Sequence, residues 1–187
     1  SLDSFGNISR AKVCEPYYSM FAPDKLPPVK TSRQDALRKG EKYQILAELE
    51  DASCPDLEKD IPRLRGNYMG MIRLIDDQIK RLIEDLKEKG LFEKTIFVVL
   101  SDHGNYCGEY GLISKGAGLS ESLTRIPMVW AGYQIKKQAK AIDAHVSLAD
   151  LFPTFCTVIG DYIPVGVHGR SLWPMLTGKK YQKEEFS

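Results

Sequence analysis

The sequence contains no pair of cysteines in a C-x-x-C motif, no long apolar run and no excess of charge of one sign. Its four cysteines are Cys14, Cys54, Cys107 and Cys156, and their spacing indicates neither a zinc site nor a dithiol redox motif, so we expect free thiols. No apolar run approaches the about 20 residues that a membrane span requires. The formal net charge is +1, which gives no electrostatic reason to expect binding to nucleic acid or to an anionic membrane.

The composition is that of a globular domain with one hydrophobic core. Of the 187 residues, 43% are hydrophobic and 27% are charged. Residues 1–31 contain several prolines and aromatic side chains, which predicts an irregular segment packed over a larger body. Residues 32–187 are predicted to form the α/β portion of the domain.

Apolar residues spaced three and four apart predict two helices, and two apolar runs predict strands. The first helix is predicted over about 32–51 with Ser32 as its cap, and the second over about 62–89 with Gly90 as its terminator. Strands are predicted over 95–100 and 126–131, and Asp150 is predicted to cap a further helix. This alternation indicates an α/β fold whose strands lie parallel to others in a mostly parallel sheet flanked by helices.

The tetrad Ser101-Asp102-His103-Gly104 follows the first predicted strand directly. A carboxylate and an imidazole at the carboxyl end of a buried strand lie where open α/β sheets place their chemistry. The oxygen of Asp102 and the nitrogen of His103 are candidate ligands for a divalent metal, and Gly104 allows the backbone to turn sharply. The alternative is a polar loop tip in which Asp102 caps a turn.

A glycine-rich loop over 102–120 contains a second candidate, Lys115, thirteen positions after Asp102. Its ammonium could contact a sulfate or phosphate oxygen and stabilise charge on a leaving group, although loop lysines usually face solvent. Cys107 is considered as a nucleophile, but a bystander thiol is favoured. The remaining candidates have ordinary structural interpretations: Glu121 with Arg125 as an ion pair or loop anchor, and His145 and His168 as loop or core residues.

Taken together, these motifs resemble the sulfatase family of the alkaline phosphatase superfamily across nearly the whole chain. The segments that carry the resemblance are EPYYSMF at 15–21, YMGMIRLIDDQI at 68–79, GLFEKTI at 90–96, SDHG at 101–104, GEYGL at 108–112 with Lys115, ESLTRIP at 121–127, DLFPT at 150–154 and GRSL at 169–172. The resemblance implies a Ca²⁺ or other divalent metal held partly by Asp102 and His103. It also implies that Lys115 contacts the sulfate.

The sequence departs from the family pattern in several places. Sulfatases carry paired metal-binding aspartates and a Cys/Ser-x-Pro-x-Arg element whose first residue becomes formylglycine, and neither is found here. Only Cys14 has a proline two positions on, and Tyr18 stands where the arginine belongs. Residues 8–10, Ile-Ser-Arg, occupy the neighbourhood of a substrate-binding histidine, and Tyr110 replaces a frequent histidine.

The resemblance therefore implies that residues 1–187 are part of a sulfatase catalytic domain, without its N-terminal nucleophile half and its C-terminal small antiparallel sheet. The expected function is that of a sulfuric ester hydrolase fragment, inactive alone, whose partner is a small or glycan sulfate ester. Two alternatives remain open. One is a phosphodiester or phosphonate ester hydrolase of the same superfamily, and the other is a non-catalytic interaction domain that self-associates through uncovered apolar faces.

Overall fold

The computed structural model describes residues 13–116 and 118–181, which form two compact units. Unit 1 comprises Ser1–Asp85 and His103–Ile126, and unit 2 comprises Leu86–Asp102 and Pro127–Ser187, each within the described residues. Part of the predicted irregular segment, including Ile8, Ser9 and Arg10, lies outside those residues. In the described part of the chain, every helix is too short or too polar to cross a membrane.

Two helices stand where the sequence predicts one helix over 32–51. Helix α1 is the single turn Tyr17–Met20, helix α2 spans Arg33–Arg38, and helix α3 spans Glu41–Ser53. Ser32 caps α2 as predicted, because its hydroxyl accepts from the Asp35 N–H while the Asp35 carboxylate accepts from the Ser32 N–H. The break falls at Gly40, whose φ of +107° is incompatible with a continuous right-handed helix.

Helix α4 spans Leu57–Glu88 and begins five residues earlier than predicted. Pro62, the predicted start, lies inside the helix, where its missing N–H costs one backbone hydrogen bond. The predicted C-terminus is confirmed: Gly90 has a φ of +66°, and the N–H of Leu91 donates to the carbonyl of Leu86 at 2.8 Å.

The described part of the N-terminal strip packs on α4 in unit 1. A Cβ on Gly70 would lie 2.7 Å from the carbonyl oxygen of Tyr17, so the small residue permits this close approach. The Tyr17 hydroxyl donates to Asp77 at 3.1 Å, and Arg63 donates to the carbonyl of Phe21. In the described part of this strip, α1 and a 3₁₀ turn at Pro23–Lys25 are regular structure that the sequence does not predict.

Strands β1, Ile96–Leu100, and β2, Met128–Gly132, form the sheet of unit 2. The two strands pair antiparallel, with Val98 opposite Trp130 and Leu100 opposite Met128. The α/β class is confirmed, but the described residues contain no parallel strand pair, so the expected parallel neighbours are not among them. Val129 is 56% exposed, which leaves apolar surface on this sheet uncovered.

Helix α5 is the turn Glu121–Thr124 in unit 1, whereas α6, Leu151–Ile159, and α7, Trp173–Leu176, lie in unit 2. The core of unit 2 consists of Leu172, Met175 and Leu176 with partly buried neighbours that include Trp130. Asp150 precedes α6 but does not cap it. Instead its carboxylate accepts from the N–H groups of Ser147 at 2.8 Å and Arg170 at 2.9 Å.

Candidate active site

The part of the glycine-rich loop that belongs to unit 1 begins at His103 and approaches α5 closely. The N–H of Gly104 donates to the carbonyl of Leu123 at 2.7 Å. A Cβ at Gly104 would lie 2.0 Å from the carbonyl oxygen of Ser122, so any larger residue would force the two backbones apart. The glycine of the tetrad is therefore required by close backbone packing.

His103 and Lys115 come together within this loop. The Lys115 Nζ lies 2.7 Å from the His103 Nε2, and the His103 Nδ1 lies 2.7 Å from the carbonyl oxygen of Gly104. A carbonyl only accepts, so Nδ1 carries the proton and Nε2 of the neutral ring accepts from the Lys115 ammonium. Lys115 is exposed and His103 is partly buried, which leaves the ammonium accessible to an anion from solution.

The other predicted metal ligand, Asp102, belongs to unit 2 and lies two residues beyond the end of β1. Its side chain is exposed. Among residues 13–116 and 118–181, no group of three or more His, Cys, Asp and Glu side chains is placed to hold a metal. The described donors therefore fit a metal only in part: His103 offers one nitrogen and Asp102 one carboxylate, where a calcium ion takes about six to eight oxygens.

The glycine-rich loop is anchored to α2 and α3 by charged side chains. Arg33 donates to the carbonyl of Gly111 at 3.1 Å and to that of Ala47 at 2.8 Å, and it also pairs with Asp51. Glu109 accepts from the N–H of Thr31 at 3.2 Å. Tyr106, Leu112 and Leu123 bury their side chains against Ala47, so the loop has a core of its own.

Sequence reasoning missed Glu50, the buried carboxylate that contacts this loop. Glu50 is 7% exposed and accepts from the N–H of Ile113 at 3.0 Å and the N–H of Ser114 at 2.9 Å. The available signal was its position three residues after Ala47, on the apolar face of α3, where a carboxylate needs partners.

The remaining sequence candidates have structural roles. Arg125 and Glu121 form the expected ion pair at 3.8 Å, and both side chains are more than four-fifths exposed, so the pair contributes little. All four cysteines are free, as predicted. Burial raises the pKa of the Cys107 thiol to about 11, which keeps it protonated at neutral pH and disfavours a nucleophilic role.

The comparisons with known proteins identify the family. The family model described as Sulfatase matches residues 16–161. The chain is 30% identical over 181 residues to the multifunctional alkaline phosphatase superfamily protein PehA of Trinickia caryophylli, covering 88% of this chain and 34% of that protein. It is 32% identical to arylsulfatase K of Xenopus laevis over 68% of this chain and 23% of that protein.

Two solved structures also match this chain. The phosphonate monoester hydrolase of Agrobacterium radiobacter matches with a TM-score of 0.83 at 26% identity, covering 92% of this chain and 36% of that one. The corresponding enzyme of Silicibacter pomeroyi matches with a TM-score of 0.81 at 29% identity, over 91% and 35% of the two chains. This chain thus spans about a quarter to a third of the length of these relatives. It belongs to the sulfatase family, a family of enzymes that hydrolyse sulfuric esters.

Proposed function

We propose that this chain supplies the sulfate-contacting lysine and part of the metal site of a sulfuric ester hydrolase. The observation that carries the proposal is the 2.7 Å contact between Lys115 and His103 in the loop that follows β1. An exposed ammonium held beside an imidazole offers a positive charge at a fixed place, which is what a sulfate oxygen requires.

In the proposed reaction Lys115 binds one sulfate oxygen and stabilises the negative charge that develops as the ester bond breaks. The Gly104 carbonyl fixes the His103 ring through Nδ1, so that Nε2 faces the same place as the ammonium. A loop with a packed core holds both groups on a rigid base, which lowers the cost of organising the site.

A divalent metal such as Ca²⁺ would be held from this chain by the Asp102 carboxylate and by the His103 Nε2, in place of the Lys115 ammonium that this nitrogen contacts in the structure, with further ligands from elsewhere. When bound, such an ion polarises the sulfate and favours the ionised nucleophile. The nucleophile itself, a formylglycine in sulfatases, is assigned to no residue of this chain, because none of its four cysteines begins a Cys-x-Pro-x-Arg element. We therefore expect the chain alone to show no turnover of aryl sulfates, and robust hydrolysis that is lost in Lys115→Ala would contradict the assignment.

The second candidate function is hydrolysis of phosphonate monoesters or phosphodiesters. The likeness to two phosphonate monoester hydrolases over nine-tenths of the chain favours it. These esters carry a single negative charge, as sulfate esters do, so Lys115 suits both.

The test is a titration of the chain with inorganic sulfate and, separately, with the monomethyl ester of methylphosphonate. Binding is followed by NMR through the overall protein signals in the original chain, in Lys115→Ala and in the control Lys42→Ala, which removes an exposed lysine of α3. In the original chain and in Lys42→Ala the signal of the Lys115 Cε methylene group is followed as well. We expect weak saturable binding that Lys115→Ala abolishes and Lys42→Ala preserves, with the overall protein signals reporting binding in the variants. Binding that survives Lys115→Ala would reject the proposal, and tighter binding of the phosphonate would favour the second candidate.

A further inference from the structure

Glu50 contacts the backbone directly before Lys115, although 63 residues separate it from Ile113. We propose that Glu50 is a positioning residue that fixes the backbone from which the Lys115 side chain extends and thereby keeps its ammonium beside His103. The inference rests on the proposed function of Lys115 as the anion contact. Glu50 itself touches neither substrate nor metal in this account.

The carboxylate of Glu50 accepts hydrogen bonds from two groups of Ser114, its N–H and its hydroxyl. Oε1 accepts from the Ser114 N–H at 2.9 Å and from the Ser114 hydroxyl, and Oε2 accepts from the Ile113 N–H at 3.0 Å. All three donors are neutral N–H and O–H groups. Burying a carboxylate is costly unless its oxygens are satisfied, and this arrangement satisfies both of them.

Ser114 is also held on its other side. Its carbonyl accepts from the N–H of Tyr106 at 3.2 Å, and Tyr106 is 1% exposed in the loop core. Because the N–H, the hydroxyl and the carbonyl of Ser114 all have partners, the peptide that joins Ser114 to Lys115 has little freedom. The Lys115 side chain therefore extends from a fixed backbone, and more of its conformations place the ammonium beside His103.

The remaining anchors of the loop act farther from the lysine. Arg33 contacts the carbonyl of Gly111, four residues before Lys115, and Glu109 contacts Thr31. Glu50 is thus the anchor whose loss most directly changes the position of the ammonium. This assigns a functional reason to a charged residue on the buried face of α3.

Three variants of the 187-residue chain test the inference. Glu50→Gln keeps the size of the side chain but leaves only one good acceptor for three donors. Ser114→Ala removes only the hydroxyl contact and serves where Glu50→Gln does not fold. Glu48→Gln is the matched control, since Glu48 is exposed on the same helix. Two readouts are taken: the nuclear Overhauser effect between the Lys115 Cε protons and the His103 ring, and the affinity for inorganic sulfate.

We expect Glu50→Gln to weaken the Lys115–His103 Overhauser effect and to lower sulfate affinity about fivefold or more, while the fold is retained and Glu48→Gln changes neither. Ser114→Ala is expected to give a smaller loss of the same kind. An unchanged Overhauser effect and affinity in a folded Glu50→Gln, or in Ser114→Ala when Glu50→Gln is unfolded, would overturn the positioning role. Failure of the proposed function gives a different result, because sulfate binding then survives Lys115→Ala. In that case the Overhauser effect between Lys115 and His103 still shows whether Glu50 positions the lysine.

Discussion

At the scale of single residues, Gly104 is a position with no room for a side chain. A Cβ there would lie 2.0 Å from the carbonyl oxygen of Ser122, a backbone atom that cannot turn aside. We expect Gly104→Ala to destabilise the chain by about 2 kcal/mol or more and to separate the loop from α5. Urea unfolding measures the change.

The matched control is Gly116→Ala in the same loop, where the new Cβ would meet only the flexible tip of Leu46, at 2.6 Å. This substitution is expected to cost clearly less than Gly104→Ala. Equal losses for the two variants would show that the close contact with Ser122 has no special weight.

Cys107 predicts a pH dependence of stability. Burial raises the pKa of its thiol from 9.0 to about 11 in the folded chain, with Glu109 adding to the shift and Arg65 opposing it. Below pH 9 the thiol is protonated in both states. Between pH 9 and 11 the unfolded thiol ionises while the folded one keeps its proton, so stability falls as the pH rises, by at most about 3 kcal/mol.

The measurement is urea unfolding at pH 8 and pH 11 in the original chain and in Cys107→Ser, which does not titrate in this range. The loss of stability between the two pH values is expected to be smaller in Cys107→Ser. If both chains lose the same amount, the buried thiol does not contribute to the alkaline instability.

At the scale of elements, Asp150 joins the start of α6 to the segment before α7. Its carboxylate is 6% exposed and accepts from the N–H groups of Ser147 and Arg170. Because Asp150→Ala leaves both donors without this acceptor, we expect it to destabilise the chain by about 2 to 3 kcal/mol. Thermal unfolding of Asp150→Ala and of the exposed control Asp143→Ala measures the effect, and similar melting temperatures would contradict it.

The elements that local chemistry determines could be predicted from the sequence. Ser32 and Gly90 set a helix start and a helix end through interactions with residues a few positions away. The sequence does not predict the break at Gly40, because the apolar pattern continues across it. It places the start of α4 too late, because Pro62 resembles a helix boundary.

Candidate site residues were harder to predict where partners are distant in the chain. His103 and Lys115 lie twelve residues apart in one loop, and their types alone marked them as candidates, although their catalytic and metal-binding roles stay predictions. The contact of Glu50 with Ser114 spans 64 residues and depends on how α3 packs under the loop. No local pattern shows that pairing, and the sequence indicates only that a carboxylate stands three residues after Ala47, on the apolar face of the helix.

At the scale of the whole molecule, several large apolar side chains are exposed on both units. On α4 the exposed fractions are 43% for Ile72 and 51% for Leu82, and on β2 it is 56% for Val129. Removing such apolar surface from water by burying it against another chain is favourable. We therefore propose that the isolated chain self-associates as its concentration rises.

Sedimentation velocity over a hundredfold range of concentration measures this association. Val129→Lys, on the sheet opposite Val99, is expected to weaken it. The control Val165→Lys, at a fully exposed loop position, is expected to have little effect. A chain that stays monomeric throughout the range would contradict the proposal.

Calcium binding is a second property of the whole chain. Since the described residues offer Asp102 and His103 but no group of three or more ligating side chains, we expect only weak binding in calorimetry, weaker still in Asp102→Asn. Tight binding by the isolated chain would show that further ligands from this chain complete the site.

The most direct test of the central claim is a crystal structure of the chain grown with selenate, a sulfate analogue that anomalous scattering locates. The account predicts selenate about 3 Å from the Lys115 Nζ, in the loop where that atom lies 2.7 Å from the His103 Nε2 in the structure described above. A structure in which Lys115 and His103 point away from each other, with no selenate at either, would contradict it.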